Sequence, residues 1–232
     1  MNRMISAPQE IDNMKRNGNC NRRELLLDTV SLATLSLLPG ASIAAALIPT
    51  PNQTAGPFYP TRMPLDSDNN LVDVEGRSSP ARGQVTHIFG RLLDLSGRPI
   101  TTAQVEIWQC DAYGYYHHVR DRGGLADPDF QGFGRTVVDA DGGYRFRTIR
   151  PVSYPGRTPH IHFRVIGDGI EGFTTQMYVA GEPGNESDFI LNSVRDPQAR
   201  ASIIVPLDPA SEIESGALAG RFDIVLGLHP SM

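Results

Sequence analysis

Two histidines lie two positions apart in RTPHIHFRV, residues 157–165, a run that otherwise has the pattern of a β-strand. Side chains alternate between the two faces of a strand, so His160 and His162 point the same way. Two neutral imidazoles on one face suit a shared metal ion. The competing interpretation is a surface pair or one buried structural histidine, because such spacings are common. Further ligands are therefore needed before the pattern favours a metal site.

Tyrosines are the candidates for the further ligands. Tyr113, Tyr115 and Tyr116 lie in DAYGYYHHVRDR, and Tyr154 lies six residues before His160 in RPVSYPGRTPHIHF. A free phenol loses its proton only at about pH 10, but a trivalent cation favours the phenolate. Phenolate is a hard anionic donor that stabilises Fe(III), and RTPHIHFRV contains no carboxylate for a two-histidine, one-carboxylate Fe(II) site. Two histidines with two tyrosines therefore indicate ferric iron.

Composition limits the class of protein. A net charge of −5 and a pI near 5.7 give no basic field of the kind that nucleic-acid-binding proteins carry. The 23 glycines and 18 prolines lie between short apolar runs, which favours a turn-rich β protein. The two cysteines, Cys20 and Cys110, form no CxxC motif, so we expect neither a disulfide framework nor a thiolate zinc site.

Short strands separated by turns must position these residues. Strand patterns occur in VTHIFGRLLDLSGRPI, AQVEIWQCD, RTVVDADGGYRFRTIRP, PHIHFRVIG, FTTQMYVAG and GRFDIVLGL. Asp141 and Gly142 predict a hairpin turn, residues 123–134 predict a long loop, and SDFILNSVRDPQARASI predicts a short helix. Seven or eight short strands without regular helical alternation predict an all-β fold, a two-sheet β-sandwich with long active-site loops.

The first 46 residues differ from the rest of the chain. Arg22 and Arg23 precede an apolar stretch from Leu25 to Leu38 and then small residues up to Ala46, which resembles a twin-arginine export signal. We expect residues 1–46 to be this signal, residues 47–232 to be the catalytic domain, and the protein to be periplasmic or secreted. The stretch is too short and too polar for a stable membrane span. The alternative is a helix that stays attached to the domain, in which case the protein is cytoplasmic.

Six segments, in order, resemble the intradiol ring-cleavage dioxygenases and in particular their protocatechuate 3,4-dioxygenase branch. They are TAGPFYP, GYY, DPDFQGFGR, DADGGYRFRTIRP, SYPGRTPHIHF and TTQMYVAG, and the resemblance extends from Thr54 nearly to the C-terminus. It implies ferric iron held by two tyrosinates, two histidines and a solvent hydroxide. The matching positions are Tyr116, Tyr154, His160 and His162.

The same resemblance implies catalytic roles for Arg157, Gln176 and Tyr154. Arg157 matches an arginine beside the bound substrate, for which a surface salt bridge is the competing interpretation. Gln176 matches a glutamine near the iron, and a strand glutamine satisfied by the backbone is its alternative. Either Tyr154 or Tyr116 leaves the metal with a proton when substrate binds. Tyr115 would face away from Tyr116 in a strand, so only one of the two is a ligand.

The function that this resemblance implies is cleavage of a catechol-type aromatic diol by O2, between the two hydroxyl-bearing carbons, to a muconate-type diacid. Diol and O2 are the expected partners, without nucleic acid or other cofactors, and the sequence allows a homo-oligomer. Only PGRTP separates Tyr154 from His160, and Gly156 replaces an aromatic residue of the family, which changes one wall of the pocket. The alternatives are a secreted transthyretin-like β-sandwich binding module without catalysis and a cupin-like Fe(II) or Zn(II) enzyme.

Overall fold

A computed structural model of the protein describes residues 47–64, 66–121 and 125–227, without the side chain of Glu171. The predicted export segment, residues 1–46, lies outside these described residues. None of the helices within the described ranges is both long enough and apolar enough to cross a membrane.

Strands dominate the described residues, as the sequence predicts. They are β1 (Val85–Leu93), β2 (Ala103–Trp108), β3 (Phe133–Val137), β4 (Gly143–Ile149), β5 (His160–Gly167), β6 (Ile170–Val179), β7 (Ile204–Val205), β8 (Asp208–Pro209), β9 (Leu218–Arg221) and β10 (Ile224–Val225). The predicted helical segment contains α1 (Phe189–Asn192) and α2 (Pro197–Ser202), preceded by a 3-10 helix, Pro183–Glu186. The all-β prediction is confirmed, with the last predicted strand divided into β9 and β10.

Two five-stranded sheets build the fold. One contains β10, β1, β9 and β8, with β4 also paired with β1, and the other has the order β3-β2-β5-β6-β7. Aromatic rings join the sheets across a common core: Phe163 of β5 lies 6.1 Å from Tyr144 of β4 and 5.0 Å from Phe222, centroid to centroid. The two-sheet architecture expected from the sequence is thus confirmed.

The predicted hairpin at Asp141 and Gly142 is wrong, although the turn itself is present. Asp139 accepts hydrogen bonds from the backbone N–H groups of Asp141 and Gly143, and Gly142 has a φ of 71°. The strands on either side do not pair, since β3 pairs with β2 and β4 pairs with β1. Turn residues determine the local backbone but not the strand partners, and here the turn carries the chain from one sheet to the other. The preceding loop ends before β3, slightly earlier than predicted.

Strand β5 is buried on both faces, which explains how it can present histidines to a closed site. It lies between β2 and β6, and Ile161 and Phe163 point into the common core. His160 and His162 alternate with them on the opposite face, yet each is only 1% exposed. The N-terminal part of the domain covers this second face, where Gly56 approaches the ring of His162.

Candidate metal centre

Four aromatic side chains meet on the covered face of the sheet that contains β5. The ring centroids are separated by 4.9 Å for His160 and His162, 5.4 Å for His160 and Tyr154, 5.7 Å for Tyr154 and Tyr116, and 6.5 Å for Tyr116 and His162. These contacts form a closed circuit, so the rings surround one common volume. The structure therefore brings together all four residues predicted as metal ligands, from a loop, a turn and a strand.

His160 presents an unprotonated nitrogen to this volume. Its Nδ1 lies 2.6 Å from the carbonyl oxygen of Thr158, which can only accept, so Nδ1 carries the proton. Its Nε2 is buried without a hydrogen-bond partner. Burial, followed by the charge of Arg157, lowers the pKa of His160 to about 4. The imidazole is neutral at pH 7 with a free lone pair on Nε2, the form that binds a metal ion.

His162 is held between aromatic packing and a close backbone approach. Trp108 is its cross-strand neighbour, and the two rings stack with a 4.7 Å centroid separation and a 5° interplanar angle. On the other side lies Gly56, where an added Cβ would be 3.5 Å from His162 Cε1 and 3.9 Å from Nε2. Burial holds the pKa of His162 well below its usual value. This ring is therefore also neutral and has little freedom to turn.

Tyr116 comes from a loop and not from a strand, which corrects the expected strand alternation. Asp111 accepts the backbone N–H of Tyr115, and Asp121 accepts that of Tyr116 at 2.6 Å. The loop directs Tyr116 inward to 5% exposure, with its hydroxyl unpartnered, while Tyr115 is less buried. Phe58 covers Tyr116 as a stacked ring at 4.5 Å. The carboxylates of Asp111 and Asp121 thus fix the loop so that Tyr116, and not Tyr115, faces the other rings.

Tyr154 occupies the first position of a tight turn, Tyr154–Arg157. Pro155 and Gly156 occupy the central positions, Gly156 has a φ of 85°, and the N–H of Arg157 donates to the carbonyl of Tyr154 at 2.9 Å. Proline followed by a glycine of positive φ is the signature of a type II turn. The short PGRTP connection therefore still delivers Tyr154 to the rings. An added Cβ on Gly156 would meet nothing within 4 Å, so the space of the missing aromatic is open.

The phenols need an added positive charge to act as ligands. Burial raises the pKa of Tyr116 well above its usual value, and burial also raises the pKa of Tyr154, against the lowering effect of the Arg157 charge. Both are neutral phenols unless a cation is present. Within the described residues, no three His, Cys, Asp or Glu side chains are grouped so that they could hold a metal ion. A metal centre in this part of the chain thus depends on the two phenols.

Arg157 lies beside the four rings in a buried ion pair. Its Nε is 2.9 Å from Asp188 Oδ2, and its Nη2 donates to Gln176 Oε1 at 2.5 Å. The side chains of Arg157 and Asp188 are 8% and 0% exposed, so the alternative of a surface salt bridge is wrong. Gln176 Nε2 in turn donates to the carbonyl of Thr54 at 3.0 Å. The protein thus satisfies Gln176 fully, and Gln176 orients the guanidinium.

An open cavity of about 420 Å³ adjoins this centre. Tyr154, Gly156 and Arg157 form the wall that it shares with the four rings. Glu182 and Asp188, which flank the 3-10 helix, also line the cavity. The volume is within the range of small-molecule sites. A ligand bound between Tyr154 and Arg157 would extend into this cavity.

Several contributors to the site were not found from the sequence. Trp108 could have been found from strand alternation, because it is paired in register with His162. The sequence around Asp188 indicates that this residue caps the N-terminus of α1. Nothing in that local sequence indicates that Asp188 pairs with Arg157. The neighbouring histidines are engaged elsewhere: His117 Nε2 donates to the carbonyl of Asp127 at 2.8 Å, and His118 Nδ1 accepts the N–H of Arg120.

Comparisons with known proteins agree with this arrangement. Residues 54–227 match the protein family described as Dioxygenase. The chain is 38% identical over 172 residues to the protocatechuate 3,4-dioxygenase beta chain of Burkholderia cepacia, covering 70% of this chain and 72% of the relative. It is 28% identical to catechol 1,2-dioxygenase of Candida albicans over 63% of this chain, and spans about half of that relative, 52%.

A solved structure gives the same result for the fold. It is the dioxygenase domain of a dioxygenase carbohydrate-binding protein fusion from the cellulolytic bacterium Streptomyces sp. SirexAA-E. The two are 30% identical with a TM-score of 0.59, over 78% of this chain and all of that domain.

Proposed function

Because the chain belongs to the intradiol ring-cleavage dioxygenases, we propose that it uses O2 to split an aromatic diol between its two hydroxyl-bearing carbons, at a ferric ion held by four side chains. The C–C bond between those carbons breaks, and both atoms of O2 end in a muconate-type diacid. The proposed ligands are Tyr116, Tyr154, His160 and His162.

The observation that carries the metal assignment is the set of unpartnered polar atoms among the four rings. His160 Nε2, His162 Nδ1 and Tyr116 Oη are all buried without a hydrogen bond, and His160 Nε2 and Tyr116 Oη belong to the proposed donors. A buried polar atom without a partner destabilises the fold by about 1–3 kcal/mol, and a metal ion between these two donor atoms would remove that penalty. Two phenolates and two neutral imidazoles form a donor set that suits Fe(III). The residues present therefore fit the ion that the family resemblance implies.

When bound, ferric iron would supply Lewis-acid chemistry that draws electron density from the diol ring. The side chains around it have separate tasks. Tyr116 is buried behind Phe58, whereas Tyr154 is less buried and lines the cavity. Tyr154 Oη is therefore the atom placed to accept a proton from an incoming diol, while Tyr116 stays in position. We therefore propose Tyr154 for the proton-accepting role that the sequence left open between the two tyrosines.

Arg157 would act through its charge. The guanidinium is fixed by Asp188 on one side and by Gln176 on the other, and it borders the cavity next to Tyr154. A fixed cation at that place would stabilise negative charge that develops on the diol ring during attack by O2. Such an oriented charge is worth about 2.7–4 kcal/mol in comparable sites. Asp188 and Gln176 are positioning residues in this proposal, because they act through Arg157.

The two alternative functions have less support. A transthyretin-like binding module does not need two phenols and two neutral imidazoles in one closed group, and a cupin-like enzyme is not in agreement with the family match. Export through residues 1–46 remains a prediction of the sequence. Finding the intact N-terminus on native purified protein would contradict it.

Product analysis with labelled oxygen tests the proposed reaction. Iron-loaded protein is incubated with catechol under 18O2, and the product is identified by mass spectrometry. We expect muconate that contains two labelled oxygen atoms, and no product from a His160→Ala variant that has lost its iron. A semialdehyde from cleavage beside the diol, or unlabelled product, would contradict the proposal.

A further inference from the structure

We propose that this site selects diols whose ring substituent carries no negative charge, and that Glu182 sets this preference. The inference rests on the proposed function and specifies its substrate class. It concerns the cavity of about 420 Å³ that adjoins the four rings, which we call the substituent cavity. A diol bound beside Tyr154 and Arg157 would place its remaining ring positions there, because both residues line the cavity and Tyr154 is also one of the four rings.

The charges that line the substituent cavity do not favour an anion. Besides the phenol of Tyr154, its ionisable lining consists of one cation, Arg157, and two carboxylates, Asp188 and Glu182. Arg157 is already committed to Asp188 at 2.9 Å and to Gln176. Glu182 forms an ion pair with Arg150, which is not part of the lining. Both carboxylates and both arginines are thus already paired, so an incoming carboxylate would lose solvation and find no uncommitted cation in the lining of this cavity.

The lining of the substituent cavity suits uncharged substituents better than charged ones. The lining also presents Ser153, whose hydroxyl can donate to a methoxy oxygen or bond to a hydroxyl, and Ser187, which donates to the carbonyl of Gly184 and can accept from a hydroxyl. Gly156 leaves open space at the wall, since an added Cβ would touch nothing within 4 Å. A neutral group can occupy this volume without losing the solvation of a charge, whereas a buried unpaired carboxylate is strongly disfavoured. The cavity thus fits neutral polar or small apolar substituents.

This assignment separates the chain from the relative to which it is 38% identical. That relative is a chain of protocatechuate 3,4-dioxygenase, named for a carboxylated catechol. Family membership alone would suggest the same substrate for this protein. The lining of the substituent cavity argues for a different one, because its arginine is paired with Asp188 and Glu182 occupies Arg150.

A substrate comparison on the iron-loaded full chain is the first test. The value of kcat/KM is measured for catechol, 4-methylcatechol and 3,4-dihydroxybenzoate at one pH and ionic strength. We expect the two neutral diols to exceed the carboxylated diol by about tenfold or more, the effect of one unfavourable charge contact in a partly desolvated site. Equal or faster cleavage of 3,4-dihydroxybenzoate would overturn the inference alone. Cleavage of none of the three diols would overturn the proposed function, and the inference with it.

A pair of variants then tests the role of Glu182. Glu182→Gln removes one negative charge and leaves Arg150 unpaired, so relative kcat/KM for 3,4-dihydroxybenzoate over 4-methylcatechol should rise by about tenfold. Glu186→Gln is the matched control, because Glu186 lies on the adjoining 3-10 helix, is exposed and does not line the cavity. It should leave the ratio unchanged. The same ratio in wild type and Glu182→Gln, or an equal rise in both variants, would contradict the assignment.

Discussion

The Arg157→Ala variant tests whether the buried ion pair with Asp188 supports the site. Removing the guanidinium leaves the fully buried carboxylate of Asp188 without its cation. Loss of one partner of a buried pair costs about 3–5 kcal/mol. Asp188 keeps three backbone N–H donors, those of Thr158 and the first turn of α1, so we expect the lower end, about 3 kcal/mol. In a domain of this size that lowers Tm by about 6–12 °C.

A second substitution isolates the charge as the cause. Asp188→Asn in the Arg157→Ala background replaces the stranded carboxylate with a neutral amide, so part of the lost stability should return. Thermal and urea unfolding are followed by circular dichroism, with and without iron, because a bound metal adds its own stabilisation. A double variant that loses the sum of the two single losses would refute the reasoning, as would an unchanged Tm for Arg157→Ala.

The same variant separates the catalytic role of Arg157 from its structural one. Arg157 is not among the proposed ligands, so folded Arg157→Ala should keep its iron and its spectral response to catechol. Its turnover should fall by about a hundred- to a thousandfold, with partial recovery in Arg157→Lys. Iron content, the catechol-induced spectral change and O2 uptake are measured on one preparation. Unchanged turnover would remove Arg157 from the chemistry, and loss of iron would make its role structural.

Three further predictions concern single side chains. Tyr116→Phe should remove or shift the visible band of the iron-loaded protein and Tyr115→Phe should barely change it; the reverse result would mean that the ligand is the other tyrosine. Trp108→Leu removes the ring stacked on His162, so iron affinity measured by chelator competition should fall by about 10- to 100-fold, and equal affinity would contradict a supporting role. Arg147 Nη2 lies 2.6 Å from Glu214 Oε1 and lowers the pKa of this carboxyl from 4.5 to about 2. The ionised form therefore stabilises the fold above about pH 4.5, and this contribution is lost toward pH 2. Glu214→Gln should therefore destabilise the protein at pH 7 by an amount that shrinks across that interval in urea unfolding, and a constant difference would argue against it.

The candidate metal centre could be predicted from the sequence because its signals are local. The spacing of His160 and His162 specifies one face of a strand, and proline and glycine after Tyr154 specify a turn. The choice of Tyr116 over Tyr115 was harder, because the loop around them is curled by Asp111 and is not a strand. The family resemblance favoured Tyr116, the tyrosine that the loop directs towards the other rings, whereas strand alternation gave only a general reason.

The features that the sequence did not predict depend on contacts between segments that are distant along the chain. Asp188 lies 31 residues from Arg157, and nothing in the order of residues states that they meet. The turn at Asp141 and Gly142 was visible, but strand pairing is decided by burial across two sheets, so the predicted hairpin was wrong. The charge balance of the substituent cavity likewise arises only when Glu182 is brought near the Tyr154–Arg157 turn.

A ferric titration followed by visible absorption tests the central claim most directly. Metal-free protein receives increasing Fe(III), and the tyrosinate-to-iron charge-transfer band is recorded against iron bound. The account predicts a strong band that saturates at one iron per chain, and its loss when Tyr116 and Tyr154 are both replaced by phenylalanine. A colourless protein after one equivalent of bound iron, or an unchanged band in the double variant, would contradict it.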